Sequence, residues 1–323
     1  MSKTPVGRRT FMKGAGIALV TAAGGARIPE ILAGQGVPNS TGTEPPKLKA
    51  PKNAADCHIH IFDPLRFPPP PEGAGARVAP NDTPQDYRLL QKRIGTSRVV
   101  IVTPRSYVTD NHCTMDAVSQ FGPNARGVGV LRPTVTDAEL KELDKGGIRG
   151  IRFTIGTSGA VVTIDMVEPL AKRIADFGWH VQFYMNADQT VQNADLLRRL
   201  PTPIVFDHMG GLPQPDGINH PAYAVIRGLI DKGRTWVKLS GAYISTKVGP
   251  PTYADSTAVA QAYVKAAPER LVWGSDWPHQ GVKDIPNDAV LFDLLSATAP
   301  DEKVRNRILV TNPEELYGFA KTS

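Results

Sequence analysis

The stretch NAADCHIHIF, residues 53–62, sets two histidines one residue apart in a run that alternates like a strand. Successive strand side chains leave on opposite faces, so period two puts His58 and His60 on one face. Cys57, Ile59 and Ile61 are expected on the other. A soluble strand normally fills its buried face with aliphatic residues, so paired imidazoles there point to chemistry. The rest of the chain fixes the architecture. Further β-branched runs recur at SRVVIVT (97–103), RGVGVLR (126–132), GIRFT (150–154), WHVQFYM (179–185), PIVFDH (203–208), TWVKLS (235–240) and RLVWGSD (270–276). Between them lie helical patterns such as IDMVEPLAKRIADFG (164–178) and NADLLRRL (193–200). Strands that alternate with helices in this way predict an α/β fold, a single parallel (β/α)8 TIM-like barrel over residues 53–323. An open doubly wound sheet is the alternative, but its Gly-rich phosphate turn is missing after the first strand.

Charge excludes one large class of function. The chain has 323 residues and a net charge of +6. Residues 1–52 carry Lys3, Arg8, Arg9, Lys13, Arg27, Lys47, Lys49 and Lys52 against Glu30 and Glu44, which already sums to +6. Residues 53–323 are therefore neutral overall, with no surplus to build a nucleic-acid footprint. The basic residues instead frame an N-terminal signal. GRRTFMKGAGIALVTAAGGA joins the Arg8–Arg9 pair to Phe11, Lys13 and a short, mildly apolar run ending in small residues. Its R-R-x-F-M-K order resembles a twin-arginine signal peptide, taken as residues 1–34, with residues 35–52 as a Pro/Gly/Ser flexible linker. That resemblance implies the twin-arginine export machinery as a partner and a periplasmic location. No later run approaches the roughly 20 apolar residues of a membrane span, so no stable membrane insertion is expected. The Pro/Gly-rich insertion at 64–84 falls after the first strand, where it would either cap the barrel mouth or act as a spacer. The two cysteines, Cys57 and Cys113, form no disulfide framework.

Barrel enzymes gather their reacting groups where the strands end. Read that way, the strand ends supply His58, His60, Thr103, Arg105, Arg152, Tyr184, His208 and Asp276. Singly, each has an ordinary explanation: a satisfied buried histidine, a surface ion pair, a helix N-cap. Their convergence from six strands does not.

The blocks DCHIHIFDP, IVTPRSYVTDN, IVFDHMGG, LVWGSDWPH and NPEELYGF, in this order, resemble the amidohydrolase superfamily in its amidohydrolase-2 branch. Within it, the nearest likeness is to 2-pyrone-4,6-dicarboxylate lactonases and D-galactarolactone isomerases. The resemblance implies an enzyme, a hydrolase that opens a small carboxylated lactone. It implies Asp276 as general acid and base, with His58, His60 and His208 polarising the carbonyl and Arg152, Tyr184, Thr103 and Arg105 holding the substrate. Metal-dependent relatives use the histidine pair, a histidine on strand five and the strand-eight aspartate. Here the strand-five position reads as Tyr184, a poor ligand, so no metal is expected; zinc at His58, His60 and Asp276 is the alternative. His180, on the same strand, lies toward its start and reads as structural. The pyrone-dicarboxylate lactonases carry an arginine where Gly211 stands, and further arginines are replaced by Ser158 and Ser245. Fewer cations imply fewer carboxylates, hence a monocarboxylated or sugar-derived lactone. Three other readings stay open: a lactone isomerase, a metal-dependent hydrolase or decarboxylase, and a non-catalytic binder of sugar acids.

Overall fold

In the computed structural model, residues 36–73, 82–156 and 161–322 are described. The expected signal peptide with its Arg8–Arg9 pair, and Ser158, lie outside them. Eight strands run in sequence order and pair in parallel: β1 (Ala55–Ile59), β2 (Arg98–Val102), β3 (Ala125–Gly129), β4 (Ile148–Thr154), β5 (His180–Tyr184), β6 (Ile204–Phe206), β7 (Thr235–Leu239) and β8 (Leu271–Trp273). The barrel expected from the βα alternation is therefore what forms. Its closure uses the chain just beyond β8, where Ile59 bridges Trp277. The amide of Asp276 donates to the His58 carbonyl at 2.9 Å, and that of His60 to the Trp277 carbonyl at 2.9 Å. The residues expected to do chemistry thus also close the barrel.

Two apolar layers hold it. Ile59, Val99, Ile101, Ile151, Phe153 and Val181 belong to the large cluster that packs strands against helices. A smaller cluster, with Val100, Val102, Val205, Trp236 and Val272, fills the bottom of the barrel together with Tyr317. Helices start where capping chemistry allows. Thr83 and Asp86 form a reciprocal capping box before Pro84–Ile94, and Thr136 with Glu139 does the same before Asp137–Lys145.

Two sequence expectations need correction. Cys57 joins the inner cluster instead of facing away from His58. The β1–β2 register shifts between Asp56 and Ile59, a bulge that breaks strict alternation. Cys57 and His58 can then both face inward, while Asp56 turns out to accept a 3.0 Å hydrogen bond from Tyr87. The second correction concerns residues 36–52, expected as a flexible linker. They lie along the barrel as a strap. The Trp277 indole donates to the Pro38 carbonyl at 2.7 Å, Arg93 donates to the carbonyls of Thr41 and Glu44, and the Leu48 amide donates to Asp293 at 2.8 Å. A Pro/Gly/Ser composition removes periodicity but not hydrogen-bonding capacity, and that capacity is what fixes this segment.

Candidate active site

Two tiers of polar side chains fill the mouth end of the barrel. The lower tier is Arg152 on β4, Gln182 on β5, Asp207 just after β6 and Lys238 on β7, all buried. Arg152 and Gln182 face one another in the β4–β5 register. Asp207 is their hub. Its Oδ2 accepts from Arg152 Nε at 2.9 Å and from Gln182 at 3.1 Å, and its Oδ1 lies 3.6 Å from the Lys238 ammonium. Burial alone would favour a neutral carboxyl, but the Arg152 and Lys238 cations hold Asp207 well below the usual carboxylate range.

The upper tier is the histidine–aspartate cluster. His58 Nε2, His208 Nε2 and His60 Nε2 lie 3.5, 3.8 and 3.9 Å from the same oxygen, Asp276 Oδ1. His58 and His60 approach each other through their Nε2 atoms at 3.3 Å. Two of these residues hold backbone that only glycine adopts freely, His208 at φ 47° and Asp276 at φ 67°. Such strain is maintained where the surrounding structure dictates the position of a side chain. Burial lowers all three imidazoles: His58 well below its ordinary value, His60 to about 4, and His208 also downward. They are neutral rings near pH 7. For Asp276 burial pushes upward, but His208, His58, His60 and the Tyr243 hydroxyl outweigh it and bring the carboxyl down to about 2. The site thus pairs an ionised carboxylate with neutral imidazoles.

Behind Asp276 runs a chain that sequence reasoning missed. Tyr243 donates its hydroxyl hydrogen to Asp276 Oδ2 at 2.6 Å. His279 Nδ1 stands 2.9 Å from that hydroxyl, and its Nε2 stands 3.1 Å from Asp288. His279 is fully buried, and Asp288 raises its pKa against the effect of burial. Ser240 Oγ lies 2.9 Å from His208 Nδ1 and sets that ring's tilt. Gln182 and Lys238 were both visible as polar residues inside strands, the first at the parity of His180 and Tyr184 in HVQFY and the second as the one charge in TWVKL. Tyr243 had none, since its short helix Ala242–Ser245 carries no pattern.

The expected substrate-holding residues divide. An open recess of about 320 Å³ beside the cluster is lined by Arg105, Arg152, Thr103, Thr154, Val108 and Val130. Arg152 is fixed there through its Nε, and its guanidinium carbon lies 5.3 Å from the centre of the Tyr184 ring. Tyr184 also packs edge-on to His208 at 5.4 Å. Arg105 is exposed on the same recess. Thr103 reaches the wall, but its hydroxyl donates to Asn111 at 2.9 Å and sits 2.8 Å from Thr114, so it braces the loop. His180 lies at the other end of β5 from Tyr184, buried against Tyr317 at 5.4 Å, in keeping with a packing role. By distance alone, His58, His208 and Asp276 could hold a divalent ion, since their ligand atoms lie within 4.8 Å of one another.

The chain matches the amidohydrolase family over residues 55–319. It is 34% identical to 4-sulfomuconolactone hydrolase of Rhizobium radiobacter, over 88% of this chain and 97% of that protein. It is 33% identical to a 2-pyrone-4,6-dicarboxylate hydrolase of Comamonas testosteroni, over 84% of this chain and 92% of that protein. It is 31% identical to D-galactarolactone isomerase of Agrobacterium fabrum, over 84% and 93%.

Proposed function

The chain belongs to the amidohydrolase family, and from that premise we propose that it hydrolyses a small carboxylated lactone without a metal ion. The observation that carries this reading is the convergence of three imidazoles on one ionised carboxylate, beside a recess lined by two arginines. The three relatives are proteins of lactones or cyclic esters by name.

The chemistry comes from the groups present. The substrate carboxylate lies against Arg152 and Arg105, which bring its ring carbonyl to the histidine cluster. The N–H groups of His58 and His208 donate to the carbonyl oxygen and to the oxyanion that develops there. Asp276 takes a proton from water as the water oxygen bonds to the acyl carbon. The acyl–oxygen bond of the ring then breaks, and Asp276 returns its proton to the departing alkoxide. The product is an open hydroxy acid, which ionises and releases a proton. Tyr184, whose hydroxyl burial keeps neutral, donates to the substrate and makes no charge of its own. Gly211 supplies no cation; at φ 63°, a Cβ there would sit 2.7 Å from the Met185 carbonyl oxygen. Two arginines favour a substrate with few carboxylates.

A divalent ion, if bound, would sit at His58, His208 and Asp276 and would polarise the carbonyl as a Lewis acid. Tyr184 in place of an imidazole on β5 and two buried cations beneath the cluster argue against it. Zinc or manganese retained in stoichiometric amount by purified protein, or activity abolished by chelator, would overturn the metal-free reading. A second reading, isomerisation, is favoured by the isomerase among the relatives. It requires only that a substrate hydroxyl, in place of water, attack the acyl carbon. Product analysis separates the two.

The test of the main reading is a lactone panel monitored by proton release. Asp276→Asn removes the base and should cost at least about a thousandfold in kcat. Arg105→Met should raise KM with little change in kcat, because a remote carboxylate is held equally in ground and transition states. Near-normal kcat in Asp276→Asn would sink the proposal. We further propose export of the folded enzyme by the twin-arginine route to the periplasm, on the strength of the Arg8–Arg9 motif. Lys at both positions should leave the precursor in the cytoplasm; unchanged delivery refutes the signal.

A further inference from the structure

We infer that Lys238 fixes the tautomer of His58, keeping its proton on Nε2, where it serves as a hydrogen-bond donor and cannot serve as a metal ligand. The inference rests on the lactone reading for its catalytic meaning but stands on geometry of its own. Lys238 is fully buried, and its ammonium lies 2.8 Å from Gln182 Oε1, 3.2 Å from His58 Nδ1 and 3.6 Å from Asp207 Oδ1. An ammonium has three hydrogens and no acceptor capacity. It donates to Gln182 Oε1 and to His58 Nδ1, which can then only be a bare nitrogen that accepts, while Asp207 Oδ1 is an ionic neighbour beyond hydrogen-bond reach. Asp207 Oδ1 also lies 3.1 Å from His58 Nδ1, but that oxygen makes no hydrogen bond among the described residues. The competing arrangement, Nδ1–H donating to Asp207, would drive that hydrogen against the ammonium.

The far side of the ring gives the same answer independently. His60 Nδ1 lies 2.8 Å from the Val102 carbonyl oxygen, an acceptor only. His60 therefore carries its proton on Nδ1, and as a neutral ring has a bare Nε2. That bare Nε2 faces His58 Nε2 at 3.3 Å, a contact favourable only if one of the two nitrogens bears a hydrogen. The hydrogen must be on His58. Lys238 below and Val102 beside thus dictate one proton arrangement between two rings.

This arrangement decides what the cluster can do. A histidine that ligates a metal through Nε2 offers a lone pair there and donates its other N–H to a carboxylate or carbonyl. His58 has the reverse pattern, so the donor set fits a divalent ion by distance and not by protonation. The Nε2–H of His58, with His60 Nε2 at 3.3 Å and Asp276 Oδ1 at 3.5 Å, instead offers an entering lactone carbonyl a donor where a metal would need a lone pair. Lys238 does not touch the substrate; it is a positioning residue acting through His58.

The test reads the proton itself. In protein labelled with 15N-histidine, long-range proton–nitrogen spectra of the wild type should show His58 with a bare Nδ1 and a protonated Nε2, and His60 with the opposite pattern. His58→Gln assigns the signals. Lys238→Met should turn His58 to the Nδ1–H form bonded to Asp207, lower kcat about a hundredfold with KM little changed, and create zinc binding in a titration with zinc chloride. Lys238→Arg should retain the wild-type tautomer. A protonated Nδ1 at His58 in the wild type overturns the inference, and needs no variant to fold. The spectrum and the lactone panel fail separately. A correct tautomer without lactone turnover would refute the substrate and leave Lys238 in its role.

Discussion

At the scale of single residues, the role proposed for Asp276 as a base depends on what donates to it. Tyr243 supplies a 2.6 Å hydrogen bond to Oδ2 and links it to His279 and Asp288. A hydrogen bond to a charged acceptor contributes about 1.5–3 kcal/mol. Tyr243→Phe should therefore lower kcat about tenfold. Removing a donor to the ionised form raises the carboxyl's pKa, so the acidic limb of the pH–rate profile should move to higher pH. A profile identical to the wild type's would show that Tyr243 only fills space. His58, His60, His208 and Asp276 were legible in the sequence because unusual residues stood at strand ends. Tyr243 and Asp288 were not, because long-range folding alone brings them to the site. Lys238 was visible as a charge in a strand, but its direction depends on a barrel interior no pattern displays.

Elements carry the next level of control. All eight strands stand where β-branched runs predicted them, though β6 and β8 shrink to three residues because the chain leaves the ladder early to present Asp207 and Ser275–Trp277. The bulge in β1 was illegible for the opposite reason: alternation is a rule about regular strands, and one inserted residue reverses it. The turn after β7 shows how tightly such connections aim side chains. Gly241 sits at φ 64°, and a Cβ there would lie 2.8 Å from His208 Nδ1 and 2.5 Å from Ile244 Cδ1. Gly241→Ala should push the His208 ring off its Ser240 contact. We expect about 1 kcal/mol of lost stability from the left-handed backbone and a fall in kcat of roughly tenfold or more, in line with what small misplacements cost. Unchanged kcat in a folded variant would mean that His208 is not held by this turn.

The whole molecule should feel the same groups as a dependence of stability on pH. Burial lowers the pKa values of His58, His60, His180 and His208, with His60 at about 4 and His180 at about 3. The unfolded chain takes up protons at these residues near pH 6.5. Between about pH 6.5 and 4 the unfolded state binds more protons, and stability falls as pH falls. Asp56, raised by burial to about 6, works the other way, because acid neutralises a buried charge. His279, where Asp288 outweighs burial, also gains a favourable charge in acid. Four rings oppose two groups, so the net loss should appear as a lower denaturant midpoint at pH 5 than at pH 7.5. A flat or rising midpoint would contradict neutral imidazoles in the folded state. The strap at 36–52 adds tertiary contacts outside the barrel, and composition gave no hint of them.

Asp207 places two functions under one carboxylate. Its Oδ2 secures the arginine proposed to hold the substrate, while its Oδ1 borders Lys238 and the imidazole proposed to donate to the carbonyl. Arg152→Met would consequently weaken the grip and also leave Asp207 undercompensated beside His58, lowering kcat along with affinity. For a lineage adapting to new lactones, that arrangement makes specificity and turnover a single trait. Changes at Arg152 are pleiotropic, whereas Arg105, out on the rim, can drift without disturbing the proton arrangement beneath. Diversification of substrate range in this barrel should start from the rim and reach Asp207 last.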